Sequence, residues 1–291
     1  MSDTLIRDRA DTTPSALPPG NLDSFDPIVS RMLPLQRLEQ EKDRLREAYL
    51  AAKPYPHLII DGLWDPEVLS RVISEFPRKG QRDWVQYETP HELKQTSRGL
   101  FGLSPFTQLF LMEVCSPRFL KVMGAVTGHE HLVADPLYHG GGLHESFRGG
   151  WLNLHTDWRQ HPSLPLARQL NMIIYLNKDW DPAWGGALEL WNPGASEAGA
   201  KTDCHFNRTL IFPTTDTSLH GFPTPIACPE DRTRKSISLF YWTMDESAVK
   251  TAQNINFLPG KPQTRLKAAL RSFVPPIVFE AKGKLLKALG K

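Results

Sequence analysis

The stretch WLNLHTDW, Trp151 to Trp158, places a histidine two residues before an aspartate. In a strand, residues i and i+2 point to the same face, so the side chains of His155 and Asp157 can converge on one ion. Two histidines and one carboxylate form the facial arrangement that holds Fe(II) and leaves positions open for substrate and dioxygen. A His-x-Asp pair also arises by chance as a hydrogen-bonded surface pair, so the interpretation needs a second histidine from elsewhere in the chain.

Two later histidines are candidates for that third ligand. His205 lies in the polar, loop-like segment TDCHFN, whereas His220 lies in TSLHGFPTP, between a predicted strand and a proline-rich turn. A position at the end of a strand suits a ligand better, which favours His220. Further on, RKSISLFYW puts Arg234 and Ser236 on one face of a β-patterned segment, where a guanidinium can bind a carboxylate through two hydrogen bonds.

These motifs, in this order, resemble the Fe(II)- and 2-oxoglutarate-dependent dioxygenases of the prolyl 4-hydroxylase-like family. The resemblance rests on HTD at His155 to Asp157, on YLNKDWDPAWGGALELW from Tyr175, on HG at His220 and on RKSISLFYW from Arg234. It spans roughly residues 130–245 and implies a double-stranded β-helix, or jelly roll, as the core. The segment YLNKDWD followed by GG is similar to the equivalent strand and turn of the hypoxia-inducible-factor prolyl hydroxylases.

The resemblance also implies roles for individual residues. His155, Asp157 and His220 would bind the iron, and Arg234 would bind the distal carboxylate of 2-oxoglutarate, assisted by Ser236. Further expected contacts of this cosubstrate are the Tyr175 hydroxyl, Leu188 and Asn171. For Tyr175 and Leu188, plain core packing is the alternative.

The implied cofactors are Fe(II) and 2-oxoglutarate, with dioxygen as cosubstrate. Asp157 favours hydroxylation of an unactivated carbon, with release of succinate and CO2, because related halogenases have a small residue in place of this acid. Desaturation, epimerisation or demethylation with the same cofactors remains an alternative, as does a non-catalytic jelly-roll binding module. The substrate could be a peptide, an amino acid, a sugar, a lipid or a natural product.

Composition and charge narrow the class of protein. The 291 residues are 40% hydrophobic and 23% charged, which is typical of a soluble globular protein, and the net charge of +2 gives no reason to expect nucleic-acid binding. Three cysteines without a C-x-x-C spacing argue against a disulfide framework and favour a reducing compartment. The N-terminal residues lack the apolar core of a signal peptide. We therefore expect a cytoplasmic protein.

The pattern along the chain predicts four regions. Residues 1–22 are expected to form a disordered leader, 23–130 a helical support, 131–245 the β core and 246–291 a basic helical extension. In the support region, Leu35, Leu38, Leu45 and Tyr49 form one helical stripe, and Asp65 with Pro66 marks the start of another helix. After residue 130, short β-branched and aromatic segments separated by Gly, Pro, Asn and Asp predict strands. The fold class is therefore mainly β with helices packed on the barrel.

Two features lie outside the iron motifs. The glycine-rich stretch YHGGGLHESFRGG, residues 138–150, predicts a lip across the barrel mouth from which His144, Glu145 and Arg148 reach substrate, with ordinary turns as the alternative. Trp158 is a further candidate substrate contact. The basic tail, with eight Lys or Arg against the single acid Glu280 after residue 260, predicts either peripheral membrane contact or a segment docked on the barrel. The sequence leaves the oligomeric state open.

Overall fold

The computed structural model describes residues 28–77 and 84–245, and the backbone of 256–257. The predicted leader and most of the predicted basic extension lie outside these residues. Four α-helices are present in the described part, named in chain order α1 Leu35–Ala51, α2 Pro66–Ser74, α3 Pro105–Val114 and α4 Pro117–Thr127. None of these helices is both long and apolar enough to cross a membrane.

The described strands are named in chain order as well. They are β1 Leu58–Asp61, β2 Trp84–Glu88, β3 Glu92–Ser97, β4 Val133–Ala134, β5 Gly142–Ser146, β6 Trp151–Thr156, β7 Leu166–Tyr175, β8 Leu188–Trp191, β9 Ala200–Thr202, β10 Arg208–Pro213, β11 Leu219–Phe222, β12 Arg234–Met244 and β13 Asn256–Phe257.

One antiparallel sheet curls into a nearly closed, jelly-roll-like barrel. Its strand order is β1-β10-β7-β12-β5-β3-β6-β11-β8-β9, with β2 paired to β3, β4 to β12 and β13 to β6. Sequential strands β6 and β7 therefore lie far apart in the sheet, while β6 and β11 are neighbours. The predicted fold class, mainly β with helical support, is confirmed.

Strand β7 shows how the barrel separates its two faces. Leu170, Met172 and Ile174 pack into a core shared with the four helices, whereas Asn171 and Ile173 line a pocket inside the barrel. This alternation follows from the two-residue period of a strand. Because both faces are covered, the strand reads as a nearly continuous apolar run.

The helices pack on the outer face of the barrel, as the sequence predicts. In α1, Leu38, Leu45 and Tyr49 are buried, and in α2 the Asp65 side chain accepts hydrogen bonds from the Glu67 and Val68 amides. Such a capping residue contributes about 1 kcal/mol to helix stability. Just before α2, the Trp64 indole donates to the Thr209 hydroxyl of β10 at 2.8 Å.

Two sequence expectations differ from the structure. The support region is not only helical, because β3 is inserted between β5 and β6 and so completes the barrel. The glycine-rich stretch does not form a lip over residues 142–146, since these residues form the internal strand β5, which pairs with β12 and β3. Runs of glycine favour a loop interpretation, but tertiary pairing on both edges overrides that local preference.

Asn177 joins the end of β7 to the start of β12. Its side-chain oxygen accepts the Lys235 amide at 2.6 Å, and its nitrogen donates to the carbonyls of Cys204 at 2.5 Å and Lys235 at 3.0 Å. The side chain is buried. We infer that it fixes the backbone next to Arg234.

We predict that Asn177→Ala lowers the free energy of unfolding by about 2–4 kcal/mol, because it leaves buried backbone groups unsatisfied. Asn177→Asp keeps the acceptor for the Lys235 amide but places a carboxylate oxygen opposite two buried carbonyls, so it should cost at least as much. Urea unfolding of the three proteins measures both changes. A loss below about 0.5 kcal/mol in the alanine variant, the range of an ordinary surface substitution, would contradict this role.

Candidate metal centre

The two predicted histidine ligands face each other across paired strands. His155 of β6 and His220 of β11 are direct partners in the antiparallel register, with ring centroids 4.4 Å apart. The Nδ1 atom of His155 lies 2.9 Å from the Asn153 carbonyl, and that of His220 lies 3.0 Å from the Ser218 carbonyl. A carbonyl only accepts, so each Nδ1 donates, which leaves Nε2 as the ring atom that can bind an ion.

Asp157 completes the cluster just after β6 ends. Its two carboxylate oxygens lie 3.5 Å from His155 Nε2 and 3.6 Å from His220 Nε2, and the ligand atoms of the three residues all lie within 4.8 Å of one another. It is the one group of this kind among the described residues. Two imidazoles and one carboxylate on one side of an ion, with space opposite, fit Fe(II).

The electrostatics of the cluster suit a cation. Burial raises the pKa of the Asp157 carboxyl, but His220, His155 and the Arg168 guanidinium outweigh burial and hold that pKa far below its usual range. Burial, together with His155, lowers the pKa of His220 to about 4. At neutral pH the site therefore presents a carboxylate and a neutral His220 imidazole, the protonation states that bind a metal.

A glycine in a neighbouring turn lets a buried arginine enter the same pocket. Arg234 is 5% exposed, and its Nε donates to the Gly186 carbonyl at 2.8 Å. Gly186 has φ +80°, and a Cβ there would lie 3.0 Å from Arg234 Cδ, so a side chain would crowd the arginine. The guanidinium lies over the rings of Phe222, at 4.4 Å, and Tyr175, at 5.1 Å.

This end of the pocket is built for an anion. None of the ion pairs among the described residues involves Arg234. The Asn171 side-chain oxygen has no hydrogen-bond partner there, and the buried Tyr175 hydroxyl lies close to Arg234. Because unpaired buried polar groups are costly, a bound ligand that supplies their partners is favoured here. A dicarboxylate between the metal cluster and Arg234 fits these groups.

Most residues predicted for the site meet at this pocket. Its lining includes His144, His155, Asp157, Asn171, Leu188, His220, Arg234 and Ser236. The alternative ligand His205 does not join them, since its imidazole lies 3.3 Å from Asp61, outside the pocket lining. The strand pairing of β11 with β6 places His220, and not His205, beside His155.

Three candidate substrate residues are engaged elsewhere in the structure. Glu145 faces away from the pocket and pairs with Lys235 at 2.9 Å, while Arg148 donates to the carbonyls of Ala227 and Cys228. Trp158 lies beside the pocket, with its ring 4.0 Å from the Arg168 guanidinium. Of these residues and His144, only His144 lines the pocket.

The structure adds two charged residues to which the sequence analysis assigned no role. Lys94 of β3 lines the pocket and pairs with Glu92 at 3.0 Å. Arg168 of β7 lies 3.5 Å from Asp157. In β7 the register shifts near Gln169, so that Leu170 faces Tyr241 and Arg168 faces Trp242. Such a bulge changes which face a side chain takes, so strict alternation would place Arg168 on the wrong side.

The chain is similar to known oxygenases in sequence profile and in fold. The profile of the 2OG-Fe(II) oxygenase superfamily matches residues 142–242, which contain all three residues of the cluster and Arg234. No curated protein matches the chain. A prolyl hydroxylase from Trichoplax adhaerens, solved with a hypoxia-inducible-factor peptide, superposes with a TM-score of 0.54 at 15% identity, covering 76% of this chain and 96% of that one. This likeness shows a shared fold.

Two further solved structures are similar at lower scores. A prolyl-4-hydroxylase from Pseudomonas putida has a TM-score of 0.48 at 13% identity, covering 69% of this chain and 98% of its own. HygX from Streptomyces hygroscopicus, solved with nickel, 2-oxoglutarate and hygromycin B, has a TM-score of 0.48 at 13% identity, covering 75% and 97%.

We predict that His220→Ala weakens Fe(II) binding at least about 100-fold, because even the residues that only orient metal ligands contribute 10- to 100-fold. His205→Ala is the matched control and should bind Fe(II) as the parent does. Anaerobic titration of each protein with Fe(II) measures the affinities. Equal affinity in the parent and His220→Ala would show that the ligand set is wrong.

Three observations are consistent with a 2OG-Fe(II) oxygenase. They are the sequence profile, the barrel and the His-Asp-His cluster opposite a buried arginine. The predicted cofactors, Fe(II) and 2-oxoglutarate, fit the donor set and the anion-binding end of the same pocket. Residues 142–242 of the chain therefore match the profile of the 2OG-Fe(II) oxygenase superfamily, and the metal cluster and Arg234 lie within this matched part.

Proposed function

We propose that this protein hydroxylates an unactivated carbon of a small-molecule or peptide substrate, with release of succinate and CO2. The observation that carries the proposal is that the cluster of His155, Asp157 and His220 and the guanidinium of Arg234 line one pocket inside the barrel. A protein that only binds its ligand would not need both the metal-binding cluster and the buried arginine.

Each part of the pocket has a task in this proposal. His155, Asp157 and His220 hold the ion, and Arg234 binds the far carboxylate of the cosubstrate. When bound, Fe(II) and 2-oxoglutarate supply the oxidising chemistry toward dioxygen and the substrate C–H bond. Tyr175 and Asn171 offer hydrogen bonds, Ser236 assists Arg234, and Leu188 forms an apolar wall. The apolar rings of Phe212 and Phe222 limit water in the pocket.

The acid at position 157 favours oxygen transfer over halogenation. A carboxylate fills a ligand position that a halide would otherwise take, and Asp157 is both charged and directed at the two histidines. The pocket also offers His144 to a substrate, because this imidazole lines it and lies next to Lys94. Burial, with Lys94, lowers the pKa of His144 to about 3, so that the ring is neutral at pH 7.

We predict that Arg234→Gln weakens 2-oxoglutarate binding about 10- to 100-fold, because a charge-assisted hydrogen bond contributes about 1.5–3 kcal/mol. The control is Arg118→Gln, since Arg118 is exposed on α4 and pairs only with Glu113 among the described residues. Calorimetric titration of metal-loaded protein without oxygen gives both affinities. If Arg234→Gln binds 2-oxoglutarate as tightly as the parent, the cosubstrate lies elsewhere.

The reaction type is tested with a metabolite and peptide extract of the native cell. We expect the protein with Fe(II), 2-oxoglutarate and ¹⁸O₂ to convert one extract component into a product carrying one heavy oxygen atom, with succinate formed in equal amount. His220→Ala should give neither product, and His205→Ala should give both. A product that has lost two hydrogens, or has inverted stereochemistry without gaining oxygen, would contradict hydroxylation.

A further inference from the structure

Arg168 is a buried cation held inside a cage of aromatic rings. The side chain is 1% exposed, and its guanidinium carbon lies 3.7 Å from the ring centre of Phe240, 4.0 Å from that of Trp158 and 5.1 Å from that of Trp242. Burial lowers the pKa of Arg168 to about 10, with Asp157 and Asp135 opposing that change, so the group stays charged at pH 7. The rings pack against the guanidinium and so restrict the direction in which its N–H groups point.

The N–H groups of Arg168 face one carboxylate, that of Asp157. Arg168 Nη1 lies 3.5 Å from Asp157 Oδ2, its one ion pair among the described residues, and the buried Nε has no hydrogen-bond partner there. Asp135 is the other acid close enough to act on Arg168, but its oxygens already accept the amides of Leu137 and His139 and face His161. An arginine has five N–H donors, so this one is positioned by charge and by stacking.

The backbone supports the same pairing. Asp157 lies beyond the end of β6, and the Arg168 amide donates to the Arg159 carbonyl at 2.6 Å. Together with the stacking on Trp158, this bond ties the segment after the metal strand to β7. Arg168 therefore holds the acidic ligand at Oδ2, the same carboxylate oxygen that lies 3.6 Å from His220 Nε2.

We propose that Arg168 is a positioning residue that serves as the internal counter-ion of the metal-ligating carboxylate. It pairs with Asp157 and orients this carboxylate when the ion is not bound, and it competes with the ion for the carboxylate when the ion binds. A largely buried carboxylate without a partner is strongly unfavourable, and among the described residues Arg168 is the one Lys or Arg that pairs with Asp157. The inference rests on the metal site proposed above.

The competition sets the direction of the effect on metal affinity. A divalent ion and a guanidinium that share one buried carboxylate repel each other at short range with little screening. Removing Arg168 has two opposite effects on metal affinity. Loss of ligand orientation typically weakens metal binding about 10- to 100-fold. Loss of the short-range repulsion between a divalent ion and a single positive charge strengthens metal binding by more than this. Removing Arg168 should therefore make metal binding tighter, although the metal-free protein becomes less stable.

The first test needs no metal. Arg168→Met is compared with the parent, and the same change is made in an Asp157→Asn background, with chelator present, by urea unfolding. We expect Arg168→Met to lower the unfolding midpoint in the parent, but to leave it unchanged or raise it in the Asp157→Asn background, where the arginine has lost its carboxylate. An equal loss in both backgrounds would show plain packing and overturn the proposal.

The second test titrates Co(II) into Arg168→Met, Arg168→Lys and the control Arg118→Met. We expect Arg168→Met to bind Co(II) at least about 10-fold more tightly than the parent, and the other two variants to stay within a few-fold of it. Unchanged or weaker binding by Arg168→Met would overturn the proposal. Should Arg168→Met fail to fold, Arg168→Gln takes its place in both tests. A parent that binds no Co(II) refutes the metal site instead, and the unfolding cycle still decides the role of Arg168.

Discussion

The carboxylate of Asp157, whose side chain is 11% exposed, is the group on which the rest of the site depends. Burial alone disfavours its charge, so the charge persists only because His155, His220 and Arg168 surround it. His155 lies in β6, His220 in β11 and Arg168 in β7, and no single β-hairpin contains these three strands. Closing the barrel is therefore what brings the compensating groups to the acid, and the fold and the chemistry of the pocket share one requirement.

The barrel also explains why each end of the pocket has its own character. Strands β6 and β11 pair directly and present imidazoles, while β12 enters from the opposite wall and presents Arg234. Glycine makes two close approaches possible. Gly186 leaves space for the Arg234 side chain, and a Cβ at Gly221 would meet the Asn153 carbonyl at 2.8 Å, where β11 crosses β6. A dipolar pocket of this kind suits a ligand with a chelating end and an anionic end.

Local patterns predicted the residues whose signals are short in sequence. His155 and Asp157 are two apart, and Arg234 and Ser236 share a strand face, so strand periodicity placed the members of each pair together. The expectations for Asn171 and Tyr175 came from the family resemblance. The choice of His220 over His205 and the jelly-roll core needed the order of several motifs. Strand β5 was harder to predict, because its glycines favour a loop until both of its edges are paired.

Lys94 and Arg168 could not be predicted in this way. Lys94 reaches the pocket because β3, from the region expected to be helical, inserts between β5 and β6, and Arg168 faces Asp157 because the register shifts near Gln169. Both depend on pairing between distant segments, which no local pattern records.

We infer that one pocket binds Fe(II) through His155, Asp157 and His220 and binds 2-oxoglutarate between that ion and Arg234. An anaerobic crystal structure with both ligands, with anomalous diffraction collected at the iron edge, measures both positions. We expect one iron peak among the two Nε2 atoms and the Asp157 carboxylate, with the far carboxylate of 2-oxoglutarate on the Arg234 guanidinium. An iron peak away from these three residues, or 2-oxoglutarate bound without contact to Arg234, would contradict it.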